Sequence, residues 1–573
     1  MLSSKGNTLI RFLSRCSYKR CLNEAHVPTA FRGHPDNRPG VTHSHEGAVE
    51  SGEATSRWKT QCERAWDMKR AYLLSFIVLL LAGCMTAREG FVKGTYQNTT
   101  DYMQVRERLI AAELALRFDS NLEFSEDEQA ANRRLMELKK KEMERTKDHF
   151  PPAHSFLLSK ELIDGSPVLE VMKRMPKGGV LHAHGSALAD FRWLIEHATY
   201  LPNCYVYMGE EAGGRIKGEL AFFKEAPGQG WRLVSEMRKA APNIEDFDKA
   251  LYKSITLGPE DANVPDIWQE FQNCFQRMGL LDAYRPVFEG FSRKMFNDLI
   301  EEHVQYVEFR GMPGGVYDLT GTRLSIEECL SILDSIVKDV RQASPTFDVK
   351  YVECAGGQMN TNDLARRLDM VLQRRQHYPD KIKGFDIVGE EDKRHTHLYF
   401  INELLYARAN AARRQTTLPL YLHSGESNWV ENENLYDAVL LDAKRIGHGL
   451  ALIKHPLLMR IVKERDIAIE VCPISNQILG YVADLRNHPA VYYINSGLRV
   501  VLCPDDPGIM RYTFSYDYYV AFMAWGLDLR CLKQLAKNSL TYSAMNEPEK
   551  RAALAAWEKD WHAFIKWFNE TDL

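Results

Sequence analysis

Pro176-Lys-Gly-Gly-Val-Leu-His-Ala-His-Gly185 reads as a buried strand that ends in two histidines. Val180 and Leu181 supply the apolar strand, and His182 and His184 follow at a spacing of two. Residues i and i+2 of an extended strand face the same way, so both imidazoles point into one site. Strand ends are also where parallel α/β folds place their chemistry. A lone His-x-His pair serves equally well as two polar residues closing a strand, so its meaning depends on what the other strands contribute.

Short apolar runs continue downstream. They are Val180–His184, Val304–Arg310, Val349–Ala355, Ile382–Val388, Leu418–His423, Arg445–His448, Ile467–Pro473 and Arg499–Pro504. Segments of helical length such as Ser325–Ala343 and Asn362–Tyr378 lie between most of them. Eight β-then-α units predict an α/β fold, a (β/α)8 TIM barrel over residues 151–565. The gap after the first run is too long for one crossover. It predicts an inserted subdomain at about residues 200–260, with turns at Gly213-Gly214 and Gly228-Gln-Gly230. Ahead of the barrel, residues 95–150 read as an N-terminal helical extension. Val105, Leu109, Ala112 and Leu116 recur at spacings of three and four, and Leu135, Leu138 and Met143 follow the acidic stretch Glu123–Glu128. Pro151-Pro152 ends the extension. Its apolar stripe either covers the barrel or pairs subunits.

The chain has 573 residues, 45% of them apolar and 26% charged, as in an ordinary globular protein. A net charge of −4 predicts no nucleic-acid partner. Eleven cysteines are scattered without a Cys-x-x-Cys, which argues against a thiolate metal site. Residues 1–67 are polar and without period, and read as a disordered or non-native upstream extension. Met68-Lys-Arg then opens an apolar run that leaves through Ala82-Gly-Cys84. A basic start, a short apolar run and a small-residue exit make a secretory signal peptide over residues 68–87; the alternative is a signal anchor. Secretion makes Asn98-Thr-Thr100 and Asn569-Glu-Thr571 candidate glycosylation acceptors.

The later strand ends complete the His pair. The fourth gives Gly389-Glu-Glu-Asp392, the fifth His423-Ser-Gly-Glu426, the sixth His448 and the eighth Asp505-Asp506. Taken singly, His448 between glycines is a turn residue and Asp505-Asp506 a helix cap. Taken together, three histidines and a carboxylate from separate strands suit a borderline-soft divalent ion, one Zn2+ per subunit, with one position open. Glu426 and a further His then stand beside it for proton transfer.

The order His-x-His, His-x-Gly-Glu, Gly-His-Gly, Asp-Asp resembles the adenosine deaminase family of metal-dependent hydrolases. The stretch Met175–His184, the insert and the leading helices resemble its secreted, growth-factor-type members, as do Cys472-Pro-Ile-Ser-Asn476 and Asp484-Leu-Arg-Asn-His-Pro489. The resemblance covers about residues 95–565. It implies that His182, His184, His423 and Asp505 bind zinc. It implies that Glu426 protonates the purine ring, that His448 orients and deprotonates the attacking water, and that Asp506 holds the hydroxide and a ring nitrogen. Gly389 matches a backbone donor to the purine, and Trp268 and Trp429 match aromatic residues lining the pocket. The implied reaction converts adenosine, and 2′-deoxyadenosine, to inosine or deoxyinosine and ammonia by hydrolysing a cyclic amidine C–N bond. A homodimer held by the leading helices, and a cell-surface receptor or glycan as partner, belong to the same expectation. One departure stands out: the family has an acidic residue touching the ribose after the His pair, and here Gly185 follows. Two competing readings are a growth-factor-like signalling protein with little catalysis and a deaminase of another amino-purine.

Overall fold

The computed structural model describes residues 96–210 and 215–572, so the apolar segment Met68–Cys84 and everything before it lie outside the described residues. Each of the eight predicted runs contains a barrel strand. These are β1 (Gly178–His184), then β5 (Val304–Arg310), β6 (Asp348–Gly356), β7 (Ile382–Val388), β8 (Tyr421–Ser424), β9 (Arg445–His448), β10 (Ala468–Val471) and β11 (Val500–Leu502). Between β1 and β5 lies a separate antiparallel sheet of β2 (Cys204–Tyr207), β3 (Leu220–Phe222) and β4 (Trp231–Leu233). The helices that matter below are α1 (Thr99–Leu114), α2 (Glu126–Arg145), α3 (Arg285–Glu301), α4 (Ile326–Val340), α5 (Leu529–Thr541) and α6 (Glu547–Glu570).

The barrel strands run parallel in two sets, β1-β5-β6-β7 and β11-β10-β9-β8. Parallel bridges join the sets at both edges, Phe385 to Leu420 and Ala183 to Asp505, so the ring closes. The second bridge brings the carboxylate after β11 beside the histidines of β1.

Alternation along these strands sorts charge inward and apolar groups outward. In β5 the Tyr306 hydroxyl donates to Glu308 at 2.8 Å, both on the inner side with Arg310, while Phe309 meets Phe296 of α3 on the outer side. A parallel sheet covered by helices on its outer face reads as a run of buried residues, and all seven residues of β5 are buried. His448 breaks the rule usefully. Strict alternation would send it outward with Ile446, but its left-handed backbone (φ +60) brings the ring to 4.7 Å from His182. Asp505 is also left-handed, at φ +62. Such conformations cost about 1–3 kcal/mol each and persist where the surroundings hold them.

The two leading helices part company. The side chain of Ser125 caps α2 and Glu128 completes the capping box. Leu135 and Leu138 of α2 are buried, and its Glu128 takes hydrogen bonds from Lys533 of α5 at 2.6 Å and Trp561 of α6 at 2.7 Å. Helix α1 buries no residue at all. Of the two leading helices, α2 alone therefore packs against the rest of the protein. The seven cysteines among the described residues are free thiols. No helix among the described residues is long and apolar enough to cross a membrane.

Candidate active site

His182, His184 and His423 each offer a ligand atom within 4.8 Å of the others. Asp505 completes the group, its Oδ1 3.5 Å from His182 Nε2 and 3.3 Å from His184 Nε2. Hydrogen bonds on the far side of two rings decide which nitrogen faces the cluster. His182 Nδ1 lies 2.9 Å from Glu470 Oε2, and His423 Nδ1 lies 2.6 Å from Asp386 Oδ2. A carboxylate accepts, so both Nδ1 atoms carry the proton and both Nε2 lone pairs point into the cluster. His182 Nε2 and Asp505 Oδ1 are buried with no hydrogen-bond partner. Buried polar atoms without partners are costly, and an ion satisfies both.

The charge balance agrees. Arg310 pairs with Asp386 at 3.2 Å and with Glu470, and Arg445 pairs with Glu308 and Glu470. Burial alone raises a carboxyl, but His423 and Arg310 hold Asp386, and Arg310 and Arg445 hold Glu470, well below the usual range. Glu308, Asp386, Glu470 and Asp505 thus face only two guanidiniums, and all six groups are buried. The excess negative charge, three imidazoles and an open face fit a divalent cation of zinc type. Gly447 leaves the necessary space: a Cβ there would stand 3.2 Å from both His182 Cε1 and His423 Cα.

His448 is wired the opposite way. The backbone N–H of Ala490 donates to His488 Nδ1 at 3.0 Å, so His488, kept neutral by burial at about 3, carries its proton on Nε2. That Nε2 donates to Asn476 Oδ1 at 3.2 Å. The Asn476 amide therefore donates from Nδ2 to His448 Nδ1 at 3.1 Å. Burial keeps His448 neutral too, so its remaining proton sits on Nε2, which faces Asp505 Oδ2 at 3.9 Å. The ring presents a donor to the cluster and no lone pair, which separates it from the ligands. Asn476→Asp would reverse this relay, since a carboxylate only accepts. We expect kcat to fall about 10–100-fold with KM changed less, as for other residues that orient a site group; steady-state kinetics with 15N imidazole shifts check it, and an unchanged kcat removes the relay from the chemistry.

Glu426 is buried beside the cluster, its Oε1 3.5 Å from His448 Nδ1. Its backbone N–H and that of Gly425 donate to the Glu391 carboxylate at 2.8 and 2.9 Å, which fixes the turn after β8. Burial, then the Asp505 charge, pushes the Glu426 carboxyl well above the usual range, so it holds a proton near neutrality. Asp506 is raised for the same two reasons, and its Oδ1 is buried without a partner. Gly389 follows β7 at φ +102, with nothing within 4 Å of where a Cβ would stand, so its backbone is open to a ligand. Trp268 is half-buried, its ring 6.3 Å from that of Tyr481. Trp429, in the loop after β8, is 64% exposed.

Sequence reading passed over Arg310, Asp386, Glu391, Arg445, Glu470, Ser475 and His488. The motif Cys472–Asn476 was visible without a task; here Ser475 Oγ donates to Asp505 Oδ2 at 2.8 Å and Asn476 holds His448. Glu391 and His488 also lay in quoted motifs, whereas Arg310, Asp386, Arg445 and Glu470 left one trace, a charged residue within or at the edge of an apolar run, as Glu470 in Ala468-Ile-Glu-Val471.

Residues 251–559 match the family model described as adenosine deaminase, and residues 79–172 match adenosine/AMP deaminase N-terminal. The chain belongs to the adenosine deaminase family. It is 36% identical over 479 residues to adenosine deaminase 2 of Dictyostelium discoideum, covering 82% of this chain and 88% of that one. It is 35% identical over 505 residues to adenosine deaminase 2 of Sus scrofa, covering 85% and 97%. The motif resemblance is borne out, and the protein is a hydrolytic deaminase. The solved structure of Arabidopsis ADAL complexed with IMP superposes with a TM-score of 0.51 at 17% identity, over 69% of this chain and 99% of that one, a likeness of fold.

Proposed function

We propose that this adenosine deaminase is a secreted, zinc-dependent homodimer that hydrolyses adenosine and 2′-deoxyadenosine to inosine or deoxyinosine and ammonia. The observation that carries the reading is the sorting of histidines by their hydrogen bonds, lone pairs inward at His182 and His423 and a donor inward at His448. His182, His184, His423 and Asp505 would hold a divalent ion, which would supply an activated water at neutral pH and stabilise developing negative charge. His448 Nε2–H orients the attacking oxygen. Asp506, buried beside Asp505, holds the attacking oxygen and a ring nitrogen. Glu426 delivers its own proton to the ring nitrogen beside the reacting carbon, which makes the ring a better electrophile. The Gly389 backbone and Trp268 bound the base, and Trp429 joins them only if its loop folds inward. Turnover of adenosine by metal-loaded protein, with metal counted per chain, tests the reading; metal-loaded protein without turnover would favour a signalling role through a receptor or glycan.

Gly185 bears on the sugar. Without a carboxylate beside His184, loss of a ribose hydroxyl leaves no buried charged acceptor unpaired, a penalty of about 1–3 kcal/mol or more elsewhere. We expect kcat/KM for adenosine and 2′-deoxyadenosine to lie within about tenfold. A gap beyond about a hundredfold would mean that another group reads the hydroxyl.

Two supports bear on assembly and location. Helix α1 buries nothing and exposes Met103, Leu109, Ile110 and Leu114, a surface suited to a second copy. Ile110→Glu with Leu114→Glu should halve the mass measured by light scattering and leave metal content unchanged; an undiminished mass would remove α1 from the interface. The basic and apolar segment Met68–Cys84 supports export. Asn98 is exposed and caps α1 through Oδ1, which leaves its Nδ2 free for a glycan.

A further inference from the structure

We infer that an apolar chamber beside Gly185 receives the far end of the substrate, so that the enzyme accepts adenosine analogues with a compact apolar group on the sugar 5′ carbon. The inference rests on the deaminase reading and names a substrate class within it.

Of the ligand and acid/base side chains, His184 is the most open. The side chain of His184 is 20% exposed, against 0% for His182, 4% for His423, 5% for Asp505, 3% for Glu426 and 1% for His448. The reacting carbon has to reach the buried ligands and Glu426, so the rest of the molecule leaves past His184. In a nucleoside the atom farthest from the amino group is at the sugar 5′ end. The next residue is Gly185, exposed, at φ +40, where a Cβ would meet nothing within 4 Å.

Gly185 lines the mouth of a cavity of about 350 Å³. That is within the range of small-molecule sites, roughly 300–1,000 Å³. Its walls include Phe291, Met295 and Phe296 of α3, Phe309 of β5, Leu333 of α4 and Tyr351 of β6, and Asp282 is the one carboxylate on its lining. These side chains are buried and lie on the outer, apolar side of the strands, opposite Glu308 and Arg310. The half-buried Met312, on the loop after β5, stands at the rim. A charged 5′ group would lose its hydration on such walls, whereas an alkyl or alkylthio group would gain, by up to about fourfold in binding per methylene seated.

The test compares adenosine with its 5′-methylthio and 5′-butylthio analogues in metal-loaded protein, and inosine with 5′-methylthioinosine by calorimetry, where no turnover intervenes. The expected result is kcat/KM for the analogues within about tenfold of adenosine, with tighter binding of the substituted inosine. Met312→Trp at the rim should penalise the analogues at least tenfold more than adenosine, and Ser292→Leu, filling the chamber from α3, gives the same comparison should the first variant fold poorly. Analogues turned over more than a hundredfold worse than adenosine, or variants that lower both substrates alike, would overturn the chamber. Failure of adenosine itself would overturn the deaminase reading instead, and the calorimetry would still decide the chamber.

Discussion

Glu426→Gln should keep its metal and its fold and lose about 10²–10⁴-fold in kcat, the usual contribution of a positioned general acid. The substitution is nearly isosteric with the protonated carboxyl that burial and Asp505 enforce. The amide still donates a hydrogen bond, so KM should move little, while the proton needed in the transition state cannot be transferred. Folding should be spared because the anchors of this turn are the backbone N–H groups of Gly425 and Glu426 on Glu391, which the variant retains. Activity within threefold of the parent protein, at equal metal content, would remove Glu426 from the reaction.

The second large effect separates ligand from donor. His184→Ala removes one inward ligand atom from the end of β1, where its Nε2 lies 3.3 Å from Asp505 Oδ1. We expect metal content well below one per chain, no measurable turnover, and a lower Tm in the protein as isolated, because a bound ion favours the native state. His448→Ala should behave differently. Its Nε2 carries a proton in the Asn476 and His488 relay, so the variant should retain metal while turnover collapses. Elemental analysis of the two purified variants decides the matter. Full metal in the His184 variant, or equal metal loss in both, sinks the ligand assignment.

Much of this was legible before any coordinates. Eight apolar runs with helical spacers predicted the barrel because burial of a parallel strand is written in consecutive residues. The pair His182 and His184 could be placed on one face from their spacing alone. The later His423, Glu426, His448 and Asp505-Asp506 could be placed at strand ends because each directly follows an apolar run.

What the chain order could not supply was partnership between distant residues. Glu470 and Asp386 fix the tautomers of His182 and His423 from 288 and 37 residues away. Nothing local marks which lone charge in a strand meets which histidine. The role of His448 likewise depended on a relay through Asn476 and His488 and on a left-handed backbone that no alternation rule predicts. The leading helices carry similar apolar stripes, yet only α2 found the barrel, since burial of a stripe requires a matching surface such as α5 and α6. Trp429, grouped with Trp268 from sequence, is exposed in the loop after β8. Strand period and side-chain chemistry are local properties, so the sequence by itself determined the barrel and the identity of its reactive groups. Proton placement, charge balance and which surfaces stay open arise from contacts across the closed ring, and only the tertiary structure decided them.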